Sequence, residues 1–229
     1  MTMPARLSVI VPALNEADGI DATLASLQPL RARGHEILVV DGGSTDGTPD
    51  RAARRADRVL RGPRGRARQM AAGVAACRGT VLWFVHADTV VPPDADLTLL
   101  TALTRDGYRW GRFDVNLAGC HALLPTVSAA MNLRSRLTGI ATGDQGLFVT
   151  RTLYDAVGGF PDQPLMEDIA LSRRLKAHGP PACLRVRLLT SARRWERDGV
   201  ARTIALMWRL RLAYALGADP AALAQRYHG

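Results

Sequence analysis

The chain has 229 residues, 47% of them hydrophobic, which suits one packed globular core and excludes a disordered or fibrous chain. Its formal charge is +9, nearly all of the base is arginine with Lys176 the one lysine, and aromatics are only 5%; this leaves an anionic partner open and argues against a base-stacking nucleic-acid platform. Three widely spaced cysteines, Cys77, Cys120 and Cys183, suit neither a disulfide framework nor a zinc site and fit a reducing cytoplasm.

"LSVIVPAL" is an apolar run that reads as a first strand, and Asn15 and Glu16 follow it where a signal peptide would need small residues. Ile20, Leu24 and Leu27 share one helical face, and "EILVVDGG" is a second strand. Thr48 can cap a helix through Ala56, "RVLRG" is a short strand, "RARQMAAGVAAC" a helix and "TVLWFVHAD" another strand. This alternation predicts an α/β fold with a mixed, mostly parallel central sheet flanked by helices on both faces.

Beyond Asp88 the alternation loosens. "PPDADLTLLTALTR" reads as a helix, "WGRFDVNLAG" as an extended segment pairing antiparallel, and His121 to Leu137 as a helix. "GDQGLFVTR" follows as a glycine-flanked strand, "LMEDIALSRRLKAHG" as a helix ended by Gly179, and "CLRVRLLT" as an edge strand with alternating arginines. Val115 to Leu133 is long and apolar, but Asn116, His121, Pro125, Ser128 and Asn132 make it a poor membrane span, and no transmembrane helix is expected. In "VARTIALMWRLRLAYAL", Ile204, Met207, Trp208, Leu212 and Ala215 approximate one face, which suits either a packed final helix or one lying against an anionic membrane surface. No repeat or linker divides the chain, so residues 1–229 are read as one domain.

In open parallel sheets, ligands bind at the carboxyl ends of the strands, where Pro12 to Glu16, Asp41 to Asp46 and His86 to Asp88 all fall. The glycine-rich turn after the second strand would ordinarily cradle phosphate, yet Asp41 and Asp46 would repel it. A carboxylate there suits a ligand edge that offers N–H, such as uracil or guanine, although Asp46 also suits a helix cap. Asp88, with His86 two residues earlier, can hold Mg²⁺ or Mn²⁺ and leave positions for water and a diphosphate; the structural alternatives are a capping acid and a loop-bonded histidine. Glu167 and Asp168 stand in a first helical turn, where the dipole favours acids in any case, and where one could accept a proton from an acceptor hydroxyl.

"SVIVPALNEADGI", "VVDGGSTDGT", "ARQMAAG", "FVHADT", "GDQGLFV", "MEDIALSRRL" and "SARRW" occur in the order seen in the family 2 glycosyltransferases, which have the GT-A fold, and the resemblance runs from about residue 7 to 200. It is closest to a bacterial subgroup associated with radical-SAM and selenodomain proteins. The resemblance implies that Pro12, Asn15, Glu16, Asp41, Asp46, Arg68 and Ala87 line the nucleotide pocket, within a nucleotide-binding half of residues 1–90. It implies that Asp88, matching the last acid of a D-x-D element, holds Mn²⁺ or Mg²⁺, with His86 replacing the first acid. In the acceptor-side half, residues 91–229, it implies Asp168 as catalytic base with Glu167 beside it, and Gly143, Asp144, Arg194 and Trp195 near acceptor and diphosphate. The expected activity is inverting, metal-dependent transfer from a nucleotide sugar, UDP favoured, to a hydroxyl acceptor that could be lipid-linked. No nucleic acid and no obligate protein partner are expected; the expected location is the cytoplasm, with room for peripheral contact at the inner membrane face.

Two rivals remain at this point. A nucleotidyltransferase would share strand-end acids and a metal, but "VPALNEADG" is neither glycine-rich nor basic. A non-catalytic module binding nucleotide sugar or anionic lipid would account for the arginines.

Overall fold

All seven residues of β1 (Leu7–Ala13) are buried, as a strand covered on both faces requires, and its side chains alternate between two layers. Leu7, Val9 and Val11 enter one apolar cluster and Ile10 the other. The computed structural model describes residues 5–228; Met1 to Pro4, where the reading of the N-terminus begins, and Gly229 lie outside them. α1 (Ile20–Ser26) and α2 (Gln28–Ala32) cover the first layer through Ile20, Leu24 and Leu30, with Leu27 between the helices. β2 (Glu36–Asp41) alternates as β1 does, Val39 to the first layer and Val40 to the second. α3 (Thr48–Ala53) is capped by Gly47 rather than Thr48 and stops short of Ala56, and β3 (Arg58–Arg61) follows. α4 (Arg66–Ala76) covers the second layer with Met70 and Val74, while β4 (Val81–Phe84) sends Trp83 to the first and Leu82 and Phe84 to the second. Each fully buried Val, Leu or Ile contributes roughly 1.5–3 kcal/mol, so this two-sided patterning dominates the fold.

The remaining elements are β5 (Thr89–Val90), α5 (Ala95–Thr104), β6 (Trp110–Ala118), α6 (Leu124–Thr138), β7 (Phe148–Thr150), α7 (Arg151–Ala156), α8 (Glu167–Lys176), β8 (Ala182–Ser191), α9 (Arg193–Asp198), α10 (Val200–Ala215) and α11 (Pro220–His228). The strands form one sheet in the order β3-β2-β1-β4-β7-β6-β8-β5. β1 to β4 are parallel to one another where they pair; β7 runs antiparallel between β4 and β6; and β5 pairs antiparallel with β8. The expected mixed α/β sheet with helices on both faces is the one observed.

Three details differ from the sequence reading. β6 is antiparallel to β7 only at Trp110 and Gly111, and its longer pairing, with β8, is parallel. Gly143–Gln145 is a short 3₁₀ turn, leaving only Phe148–Thr150 as strand. β8 is not the outermost strand, because β5 covers Thr190 and Leu189.

The polar residues of the long apolar stretch have a structural use. Beyond Gly111, β6 has no strand partner on its β7 side among the described residues, and α6 supplies the missing bonds. The Val115 N–H donates to Asn132 Oδ1 at 2.9 Å, Asn132 Nδ2 donates to the Val115 carbonyl at 2.9 Å, and the Leu117 N–H donates to Ser128 Oγ at 3.0 Å. No helix among the described residues is long and apolar enough to cross a membrane. The apolar face expected on α10 splits: Ile204 and Met207 pack inward with buried Leu210, whereas Trp208 and Leu212 are exposed.

Candidate active site

The register of β1 on β2 sets Ala13 opposite Asp41, so the loops leaving both strands start side by side. Gln69 of α4 ties these ends together, its Nε2 donating to the Ala13 carbonyl at 2.7 Å and the Val40 carbonyl at 2.8 Å. Asn15, with the left-handed φ of 54°, donates its N–H to Ser44 Oγ and accepts from the Thr45 N–H. Asp41 Oδ2 accepts from Gly43 and Ser44 N–H at 3.0 and 3.1 Å, while Oδ1 has only a 3.3 Å contact from Ser44. Asp46 is fully engaged by protein: Oδ2 accepts from Ala17 N–H, and Oδ1 from the Thr48 hydroxyl and N–H. The Thr48 hydroxyl, helped by the Ala17 N–H, holds the Asp46 carboxyl below the usual range.

The third strand end adds His86, Ala87 and Asp88. The Ala87 carbonyl accepts from the Thr23 hydroxyl at 2.8 Å. Asp88 borders a hollow of about 260 Å³ that Gly19, Thr23, Ser191 and Arg193 also line, and its carboxylate takes a 3.4 Å bond from the Thr190 hydroxyl. Arg193 grips both oxygens of Glu16 at 2.9 and 3.0 Å across this edge. Burial pushes the Glu16 carboxyl up, and the Arg193 bond offsets part of that.

The Gly143–Gln145 turn connects this edge to the acids of α8. His86 Nδ1 lies 3.1 Å from Asp144 Oδ1, and the Gly143 N–H donates to Asp168 Oδ2 at 2.8 Å. His86 Nε2 is closed off, without a partner among the described residues, under Gly143, where an added Cβ would press on it. Burial works against the Asp144 charge, but the His86 hydrogen bond and the charges of His86, Arg66 and Arg211 outweigh it and hold Asp144 below its ordinary value. Asp168 Oδ1 accepts from the Ile169 N–H at 2.7 Å, so each oxygen is aimed by one backbone bond.

Met166, in the left-handed conformation at φ 64°, caps α8 and swings Glu167 and Asp168 into the cleft. Glu167 is buried with Arg66 Nη1 3.6 Å from Oε1. Burial pushes the Glu167 carboxyl above the usual range against the pull of Arg66. Burial likewise opposes the Arg66 charge, but Glu167, Asp144 and Asp168 win and raise the guanidinium further.

Pro12, Asn15, Glu16, Asp41, Asp46, Ala87 and Asp88 thus gather at one sheet edge, and His86, Gly143, Asp144, Glu167 and Asp168 form a connected chain beside it. Three expected residues face elsewhere. Arg68 pairs on the surface with Asp162 at 2.7 Å; the arginine two positions earlier, Arg66, enters the cleft. Arg194 stacks 3.5 Å over the Tyr227 ring and donates to the Tyr227 carbonyl, and Trp195 packs in the cluster of Leu117 and Leu124. From "SARRW" it is Arg193 that reaches the loop after β1, at Glu16. Sequence reading also passed over Gln69 and Met166; Gln69, adjacent to Arg68 in "ARQ", had a motif to signal it.

Among the described residues no three His, Cys, Asp or Glu side chains converge as a ready-made metal cage. The sparsely bonded Asp88 carboxylate beside an open hollow fits a divalent ion that draws its other ligands from a diphosphate and water; His86, with one nitrogen on Asp144 and the other covered, does not face such an ion in this conformation.

A family model described as Glycosyl transferase family 2 matches residues 8–122, half of the 229-residue chain. The chain belongs to glycosyl transferase family 2. An uncharacterized glycosyltransferase of Mycobacterium tuberculosis is 30% identical to this family 2 chain over 174 residues, 70% of this chain and 64% of its own length. Among solved structures, a mannosyltransferase from Pyrobaculum calidifontis in complex with GDP-Man and Mn²⁺ matches with a TM-score of 0.68 at 22% identity, over 99% of this chain and 69% of its own. A glucosyl-3-phosphoglycerate synthase from Mycobacterium tuberculosis in complex with Mg²⁺ and UDP matches with a TM-score of 0.60 at 24% identity, over 82% and 70%. The GT-A fold is therefore that of this family 2 chain. It spans 34% to 64% of the length of the curated relatives it matches.

Proposed function

We propose that this chain transfers a sugar, with inversion, from a nucleotide diphosphate donor, a UDP-sugar by preference, to a hydroxyl acceptor. The observation that carries the reading is the Gly143 N–H to Asp168 bond, which fixes a carboxylate beside the strand-end loops of a family 2 fold. Asp41, with Oδ1 lightly bonded, accepts the base N–H; Asp88 holds the divalent ion; and Asp168 takes the acceptor proton. The acceptor oxygen bonds to the anomeric carbon as that carbon's bond to the β-phosphate oxygen breaks, releasing the nucleoside diphosphate. A divalent ion at Asp88 would supply charge stabilisation to the departing diphosphate. Arg66 supports the same region, and Glu167 holds Arg66 in place. On its motif set alone we assign the chain to the radical-SAM and selenodomain-associated subgroup.

A thermal-shift panel of UDP, GDP, CDP and ADP sugars, each with Mn²⁺, Mg²⁺ or EDTA, tests the donor half of this reading. A metal-dependent rise for the UDP sugar, weakened in Asp88→Ala and Asp41→Ala, is expected. No rise with any nucleotide would turn the reading toward a non-catalytic module.

A further inference from the structure

We infer that His86 is a positioning residue for the proposed base: it ties the end of β4 to the Gly143–Gln145 turn and so aims the backbone N–H that fixes Asp168. This rests on the glycosyl-transfer reading and adds to it a residue that acts on the chemistry without touching donor, metal or acceptor.

His86 stands on well-held backbone. The Val85 N–H donates to the Ile10 carbonyl at 3.1 Å, which carries the pairing of β4 with β1 past the end of the strand, and the His86 carbonyl accepts from the Thr89 N–H at 3.2 Å. Its side chain is only 13% exposed, with Nδ1 3.1 Å from Asp144 Oδ1. An ionised carboxylate accepts and does not donate, so Nδ1 carries the proton of this bond. Nε2 is closed off beneath Gly143, where only a residue without a Cβ leaves the ring its room. The imidazole thus meets both half-buried residues of the turn, Asp144 through a hydrogen bond and Gly143 through contact.

The rest of the turn has its own anchors. Thr142 and Gln145 close a capping box, in which the Gln145 N–H donates to the Thr142 carbonyl at 2.8 Å and the Thr142 N–H to Gln145 Oε1 at 3.2 Å; Trp83 Nε1 donates to the Gly146 carbonyl at 3.1 Å. These bonds fix residues 142, 145 and 146, and none of them holds the side chain of Asp144. The Gly143 N–H donates to Asp168 Oδ2 at 2.8 Å, so sheet, histidine, turn and carboxylate form one chain of contacts. A base that is aimed poorly costs rate far more than it costs donor affinity. A carboxylate at position 86 would face that of Asp144 and repel it, which makes the imidazole and Asp144 a matched pair.

Hydrogen exchange of the Gly143 amide, followed by NMR in the full chain without ligand, reads the bond to Asp168 directly. His86→Ala and His86→Gln should each speed that exchange about tenfold, the size of one hydrogen bond. His86→Asn should restore protection, because its amide nitrogen takes the place of Nδ1, whereas that of glutamine takes the place of Nε2. With UDP-glucose as donor, Mn²⁺, and water as acceptor, His86→Ala and His86→Asp should lower kcat for UDP release about tenfold or more while KM stays within about twofold, and His86→Asn should recover most of the loss. Unchanged Gly143 exchange in His86→Ala, or equal losses in the Asn and Gln variants, overturns the proposal. A raised KM with weakened UDP binding in His86→Ala also overturns it and returns His86 to the nucleotide or the metal. Absence of UDP release by the unaltered chain counts against the glycosyl-transfer reading, while Gly143 exchange in the Ala, Asn and Gln variants still decides whether His86 holds the bond to Asp168.

Discussion

The loops at the ends of β1 and β2 and the cluster around Asp168 handle charge in opposite ways. In the loops, Asp41 and Asp46 are met by backbone N–H groups within a few residues or across a neighbouring loop, so their geometry is set before any ligand arrives. Around Asp168, side chains answer the acids of the 3₁₀ turn and α8: His86 lies 3.1 Å from Asp144 and Arg66 3.6 Å from Glu167. The first region is held by its backbone; the second is held largely by side-chain charge. Under the proposed function, the first region would recognise a nucleotide, which tolerates little slack, and the second an acceptor.

Replacing acids in the two regions should therefore give different signatures. The largest effect is expected for Asp168→Asn, which should cut transfer by about 10²–10⁴-fold and leave UDP binding nearly intact, as read by turnover and thermal shift. Retained turnover would move the base elsewhere. Next is Gly143→Ala, whose Cβ would press on His86 Nε2 and should cost about 1–3 kcal/mol in urea unfolding. That loss should shrink in a His86→Ala background; an equal loss there would mean that the turn, not the histidine, is strained.

A smaller effect concerns pH. The folded state raises the Glu167 carboxyl above its ordinary value of 4.5, so the folded chain keeps a proton that the unfolded chain has released. Stability from this group should therefore fall as pH rises from 4.5 toward the folded value, and Glu167→Gln should flatten that decline in urea midpoints. A steeper decline in the variant would reverse the assignment. Smallest is Arg68→Ala: its pair with Asp162 is exposed and screened by solvent, so Tm should stay unchanged, and an unchanged Tm with weakened UDP binding would restore Arg68 to the nucleotide pocket.

The first half was legible because each of its strands is a local apolar run ending in turn residues, and the parallel sheet follows from strand and helix alternating. Asp41, Asp88 and Asp168 could be picked out because strand ends and helix starts converge in such a sheet. The parallel pairing of β6 with β8 could not be read, since it depends on how the intervening helices return the chain across some seventy residues. Arg66 and Arg68 are equally basic in sequence; they differ by about 200° of helical phase, and only the packing of α4 decides which one enters the cleft. Met166 carries no propensity signal for a left-handed backbone, so the swing of α8 into the site was invisible. The turn at Gly143–Gln145 reads as strand in the sequence because glycines flank apolar residues in both.

The Glu16 to Arg193 clasp joins positions 177 residues apart. On a ribosome, β1 and its loop are made early, and their clasp is made only after nearly the whole chain has followed. A nascent chain that ends before Arg193 lacks the side chain that grips both Glu16 oxygens. The order of synthesis thus makes this edge of the sheet one of the last features of the fold to be joined.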